Sequence, residues 1–146
     1  MNKQKHKLAH ILLVEDNEGD ILLTLEAFEE CKVKAEISIV KNGQEALDYL
    51  FKREQYADAE KPDLILLDIN IPILNGHEVL EQIKANAVLK KIPVIMLTTS
   101  SSQKDLNRAY ENHCNSYVTK PLDIKDFLDA IIKIEEFWLH LTSFPK

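Results

Sequence analysis

At 146 residues, with 45% hydrophobic and 29% charged side chains, the chain has the size and balance of one folded domain, which argues against a disordered or fibrous chain. A net charge of -6 argues against the basic footprint that general nucleic-acid binding requires. The two cysteines, Cys31 and Cys114, stand alone, so neither a disulfide scaffold nor a zinc site is supported.

The elements follow from the N-terminus. Lys3, Lys5 and Lys7 read as a solvated tail rather than a binding arm. No secretory leader and no apolar run of about 18 residues is visible. A cytoplasmic protein without a membrane partner is therefore expected. The apolar run at residues 10–14 predicts a first strand. Ile21, Leu22, Leu25 and Phe28 then recur at helical spacing. Residues 35–40 predict a second strand, and Ala46, Leu47, Leu50 and Phe51 a second helix. The polar stretch 53–61 reads as a surface loop. Residues 63–67 give a third strand. Val79, Leu80 and Ile83 give a third helix that starts near Gly76 and leaves His77 facing solvent. Residues 92–97 give a fourth strand. Leu106, Ala109, Tyr110 and His113 give a fourth helix, with His113 at the edge of the core. Residues 116–118 give a fifth strand. Phe127, Ile131, Ile134 and Trp138 give a fifth helix, with Asp123 as its N-cap.

Most of the strand runs are continuously apolar rather than alternating, as in a parallel sheet covered on both faces. Five strand–helix units imply an α/β fold. It is a doubly wound, five-stranded parallel sheet of order 2-1-3-4-5 with five helices, the flavodoxin-like arrangement. One domain spans residues 1–146, with a core of about 9–136. The extension 137–146 carries Phe137, Trp138, Leu139, Leu141 and Phe144, more apolar bulk than a free tail needs. It reads as a partner surface and makes a homodimer the expectation. No attached output domain is expected.

Ligands of such folds bind at the carboxyl ends of the strands, where the strand order reverses. Glu15 and Asp16 follow the first strand, and Asp68 ends the third. Thr98 and Thr99 end the fourth, and Lys120 follows the fifth. Three carboxylates this close repel one another unless a cation neutralises them. Oxygen donors without His or Cys suit Mg²⁺. A carboxylate nucleophile beside Mg²⁺ and a lysine has the parts for phosphoryl transfer. Each residue alone is more often a turn or helix cap. Their meeting on one edge is what points to chemistry.

These residues match a family pattern. Leu13-Val-Glu-Asp16, Leu66-Leu-Asp-Ile-Asn-Ile-Pro72, Asn75-Gly76, Pro93-Val-Ile-Met-Leu-Thr98 and Tyr117-Val-Thr-Lys-Pro121 occur in order. The chain thereby resembles the receiver domain of bacterial response regulators over about residues 9–136. The resemblance implies that Asp68 is the phosphoacceptor. Glu15 and Asp16 are then the acidic pair at the metal, and Asn70 lends its backbone carbonyl. Thr98 is the hydroxyl that reports phosphorylation, and Tyr117 the aromatic switch that follows it. Lys120 contacts a phosphoryl oxygen, aimed by a cis bond to Pro121. By its residues alone, Tyr117 reads as ordinary half-buried packing.

Glu15-Asp-Asn-Glu-Gly-Asp20, Leu97-Thr-Thr-Ser100 and Ile134-Glu-Glu-Phe-Trp138 look, more narrowly, like the small stand-alone regulators associated with bacterial phytochromes. That resemblance implies a sensor histidine kinase as partner, a bacteriophytochrome or another sensor. It also implies a downstream protein or phosphotransfer protein, a phosphorelay role without small-molecule turnover, and dimerisation. The chain departs from the pattern at Glu15, where Asp is commoner and the arm shorter. It departs again at His113-Cys114-Asn115, where Gly-Ala is common and Asn tolerates left-handed geometry.

Three other classes compete. A haloacid-dehalogenase-type phosphatase resembles Asp-x-Asp on its first strand, whereas here the aspartate is on the third and Asn70 stands two residues on. A flavin carrier needs a phosphate-cradling loop after strand one, where this chain has repelling acids. A docking-only pseudo-receiver would not need the acceptor, acidic pair, threonine and lysine together.

Overall fold

Five apolar runs become five strands: β1 (Ala9–Val14), β2 (Ala35–Val40), β3 (Leu64–Asp68), β4 (Val94–Thr98) and β5 (Ser116–Thr119). They lie parallel in the order β2-β1-β3-β4-β5. The computed structural model describes residues 8–30, 34–98, 103–120, 125–126 and 129–130, without the side chains of Thr98 and Gln103. Four helices stand among the described residues: α1 (Glu18–Glu30), α2 (Gly43–Leu50), α3 (Gly76–Ala85) and α4 (Gln103–Glu111). Lys125, Asp126, Asp129 and Ala130 are helical, within the expected fifth helix. The rest of that helix, its expected cap Asp123 and the extension 137–146 lie outside the described residues, as do Lys3, Lys5, Lys7 and Cys31.

Alternate residues of each strand face opposite layers. Ile11, Leu13, Leu64, Leu66, Ile95 and Leu97 pack with Ile21, Ala27 and Phe28 of α1 and with Ala130. Leu12, Val14, Ile65, Leu67, Val94 and Met96 pack with α2, α3 and Ala109 of α4. Helices thus cover both faces, and β1 and β3 are buried along their whole length. Each buried Leu or Ile contributes about 1.5–3 kcal/mol, which is why β1 and β3 carry a single polar residue each, His10 and Asp68. Edge strand β2 shows partly exposed positions instead.

Strand ends differ slightly from the sequence reading, for physical reasons. β4 starts at Val94 because Pro93 has no N–H for the ladder, although its carbonyl accepts from Ile65 at 3.0 Å. β3 runs one residue further than expected and takes in Asp68, opposite Leu97. The 53–61 stretch is more than a surface loop. It holds a 3₁₀ turn at Glu54–Tyr56, and Tyr56 and Ala59 pack against the core.

Some side chains sit elsewhere than expected, Tyr110 of α4 among them, which is exposed. Leu22 is exposed, and Thr24 takes a buried place on α1. His77 is buried rather than solvent-facing, because α4 covers it and Asp105 Oδ1 lies 3.3 Å from its Nε2. His113 is exposed and beyond α4, in the left-handed turn that ends it (φ 65°). The left-handed residue is thus His113, not Asn115, whose side-chain oxygen accepts from the Val94 N–H at 2.9 Å.

Candidate functional site

In a parallel sheet every strand ends at the same edge, so residues just past β1, β3 and β5 meet. Glu15 leaves β1 with its N–H still bonded to the Val40 carbonyl at 3.0 Å. Asp68 closes β3, and the next N–H, of Ile69, holds the Leu97 carbonyl at 3.0 Å. Both carboxylates are therefore set by strand ladders rather than by mobile loops. One carboxylate oxygen from each of Glu15, Asp16 and Asp68 lies within 4.8 Å of the others. Glu15 and Asp68 are 1% and 3% exposed, while Asp16 opens to solvent.

Lys120 enters from the end of β5. Its Nζ donates to Glu15 Oε1 at 2.6 Å and to Asp20 Oδ2 at 2.8 Å. Asp68 Oδ2 stands at 3.4 Å. Backbone donors complete the set: Asn70 N–H to Asp68 Oδ1 at 3.3 Å, and Asn17 N–H to Glu15 Oε2 at 3.2 Å. Burial pushes the Glu15 carboxyl up to about 7, with the Asp68 charge adding to it and Lys120 opposing it. Burial works to lower the Lys120 ammonium, but hydrogen bonds to Asp20 and Glu15 and the charge of Asp68 hold it above its ordinary value. One ammonium cannot neutralise this many acids. The pocket keeps a negative surplus lined by oxygen, which fits a hard divalent cation.

The remaining expected residues take these places. Asn70 is exposed, two residues past Asp68. Thr98 ends β4 opposite Thr119; its side chain, with Thr99 and Pro121, lies outside the described residues. Tyr117, in β5 beside Met96, is half-buried with its ring 6.5 Å from that of Tyr110. The sequence reading gave Asp20 no role, yet the fold brings it onto Lys120. Its signal was its place in the first turn of α1, which starts at the sheet edge.

The response regulator receiver domain family matches this chain over residues 11–132. The chain belongs to that family. The receiver is 45% identical over 135 residues to the probable methanogenesis regulatory protein FilR2 of Methanothrix harundinacea, covering 92% of this chain and 86% of that one. Response regulator Rcp1 of Synechocystis sp. is 41% identical over 135 residues, 92% of each chain. The Mn²⁺-bound crystal structure of Rcp1 superposes with a TM-score of 0.77 at 40% identity, covering 94% and 99% of the two chains. The phosphorylated cyanobacterial phytochrome response regulator RcpA gives 0.78 at 44% identity, covering 91% and 95%. Among its described residues the receiver has no helix long and apolar enough to cross a membrane.

Proposed function

We propose that this receiver takes a phosphoryl group from a sensor histidine kinase onto Asp68, with Mg²⁺ at the acidic cluster, and passes the signal on by protein contact. One observation carries the reading. A buried carboxylate at a strand end lies 3.4 Å from a buried lysine and within 4.8 Å of two further acids. Asp16, Asp68 and the Asn70 backbone carbonyl would hold Mg²⁺, with Glu15 beside them. Bound there, the ion supplies charge neutralisation for the acceptor and for the phosphoryl oxygens. That Rcp1 has been solved in a Mn²⁺-bound form and RcpA in a phosphorylated form supports a divalent ion and a phosphoryl group in this reading.

The chain's own residues do the following. An Asp68 oxygen forms the bond to phosphorus as the bond from phosphorus to the kinase imidazole nitrogen breaks, and the electron pair returns to that ring. Lys120 neutralises a phosphoryl oxygen, where a fixed charge in a dry site acts most strongly. The Thr98 hydroxyl is drawn toward the new dianion and Tyr117 turns after it, which biases the surface of α4 and β5 between two states. The chain turns over no small molecule of its own. A photoreceptor kinase is the partner suggested by RcpA, while the equal likeness to FilR2 leaves the stimulus open to other sensors.

Asp68→Asn keeps the shape of the acceptor and removes its nucleophile. It should take up no label from acetyl phosphate or from a cognate kinase, whereas the wild-type chain takes one phosphoryl group. Stoichiometric labelling of Asp68→Asn would overturn the assignment.

A further inference from the structure

The two short hydrogen bonds of Lys120 go to Glu15 at 2.6 Å and Asp20 at 2.8 Å, and the acceptor Asp68 stands off at 3.4 Å. Asp20 is the third residue of α1, where a carboxylate ordinarily folds back onto the backbone N–H of the capping residue. Here that N–H, on Asn17, goes to Glu15 Oε2. The N–H of Asp20 is held by the Asn17 side chain at 2.9 Å, and its carbonyl accepts from the Thr24 hydroxyl at 2.9 Å. The backbone of Asp20 is thus fixed on both sides, and its carboxylate, 27% exposed, turns inward to the lysine.

We propose that Asp20 is a positioning residue that anchors Lys120 on the α1 side of the site and keeps the ammonium from closing onto Asp68. The inference rests on the phosphoacceptor reading. A carboxylate oxygen that receives a short charge-assisted hydrogen bond has part of its lone-pair density committed, and is a weaker nucleophile. With acetyl phosphate, an Asp68 oxygen bonds to phosphorus, the bond from phosphorus to the acetate oxygen breaks, and acetate leaves with the electron pair. An ammonium has three protons. Glu15 and Asp20 hold two, which leaves the third for the incoming phosphoryl oxygen. Without Asp20, the freed donor has Asp68 Oδ2 within reach at 3.4 Å.

Asp20→Asn keeps the size of the side chain and removes its charge. Labelling by acetyl phosphate at saturating Mg²⁺ should slow about five-fold, the scale of one weakened positioning contact. Asp20→Glu, which keeps the charge one methylene further out, should fall between Asp20→Asn and wild type. In a Lys120→Ala background, Asp20→Asn should cause no further loss, because its effect acts through the lysine. In the metal-free protein, the ¹⁵N–¹H resonance of the Lys120 ammonium should move on Asp20→Asn. Wild-type labelling rates in both Asp20 variants, an undiminished loss in the Lys120→Ala background, or an unmoved lysine resonance would each overturn the proposal. A wild-type chain that takes no label would instead bring down the phosphoacceptor reading, and the resonance alone would decide the place of Asp20.

Discussion

Glu15 carries the electrostatic tension of the site. Its carboxyl is buried beside Asp68, and burial lifts it from its ordinary 4.5 to about 7. The folded metal-free chain therefore binds a proton that the unfolded chain has released, so its stability falls as pH rises from about 4.5 to about 7. A divalent cation competes with that proton. Mg²⁺ affinity should be level above about pH 8 and fall by up to about ten-fold per unit below pH 7. Calorimetric Mg²⁺ titration across that range checks it, and a flat profile would refute it. At this scale the sequence was an uneven guide. The strand-end rule placed Glu15, Asp16, Asp68 and Lys120 correctly, because chain ends of parallel strands converge whatever the loops do. It missed Asp20, which reaches the site from a helix. The helical reading, for its part, misplaced His77, since only tertiary packing puts α4 over the first turn of α3.

The loop between β3 and α3 shows how neighbouring elements hold the acceptor still. Asn75 caps α3 in a reciprocal pair with Glu78. A Cβ on Gly76 would stand 2.5 Å from the Asp68 carbonyl oxygen, and one on Gly43 would stand 2.1 Å from that of Leu74. Only glycine lets α2 come this close to the loop, and the start of α3 this close to the end of β3. The Gly43 N–H adds a bond to the Pro72 carbonyl at 3.2 Å. Between these clamps Ile73 is held at φ 74° and is 72% exposed. A β-branched residue is strained there and buries little in return. Ile73→Asn should therefore raise stability by about 1 kcal/mol, or roughly 2–4 °C in Tm. A thermal melt at or below the wild-type midpoint would contradict this. The helix start at Gly76 was readable from Asn75-Gly76. The strain at Ile73 was not, because isoleucine is among the last residues that local preference would assign to a left-handed turn.

Across the whole molecule, the architecture was legible because its physics is redundant. Continuous apolar runs mark strands covered on both faces, and intervening amphipathic stretches supply the cover. The order β2-β1-β3-β4-β5 matches the expectation from five repeated strand–helix units. Edges were less legible, since exposed Leu22 and Leu23 carry no periodic signal that separates them from the buried face of α1. The apolar residues of 137–146 lie outside the described residues, and the homodimer they suggest is a matter for solution measurement. Light scattering should report two chains, and a monomer with and without beryllofluoride would contradict that. The central claim is that the acidic cluster becomes a phosphoryl site only around a divalent ion. Beryllofluoride, a stable mimic of the aspartyl phosphoryl group, tests it most directly in a calorimetric titration. Uptake of one equivalent per chain in the presence of Mg²⁺, none in its absence and none by Asp68→Asn is the predicted result. Equal uptake without the metal, or no uptake with it, would contradict the account.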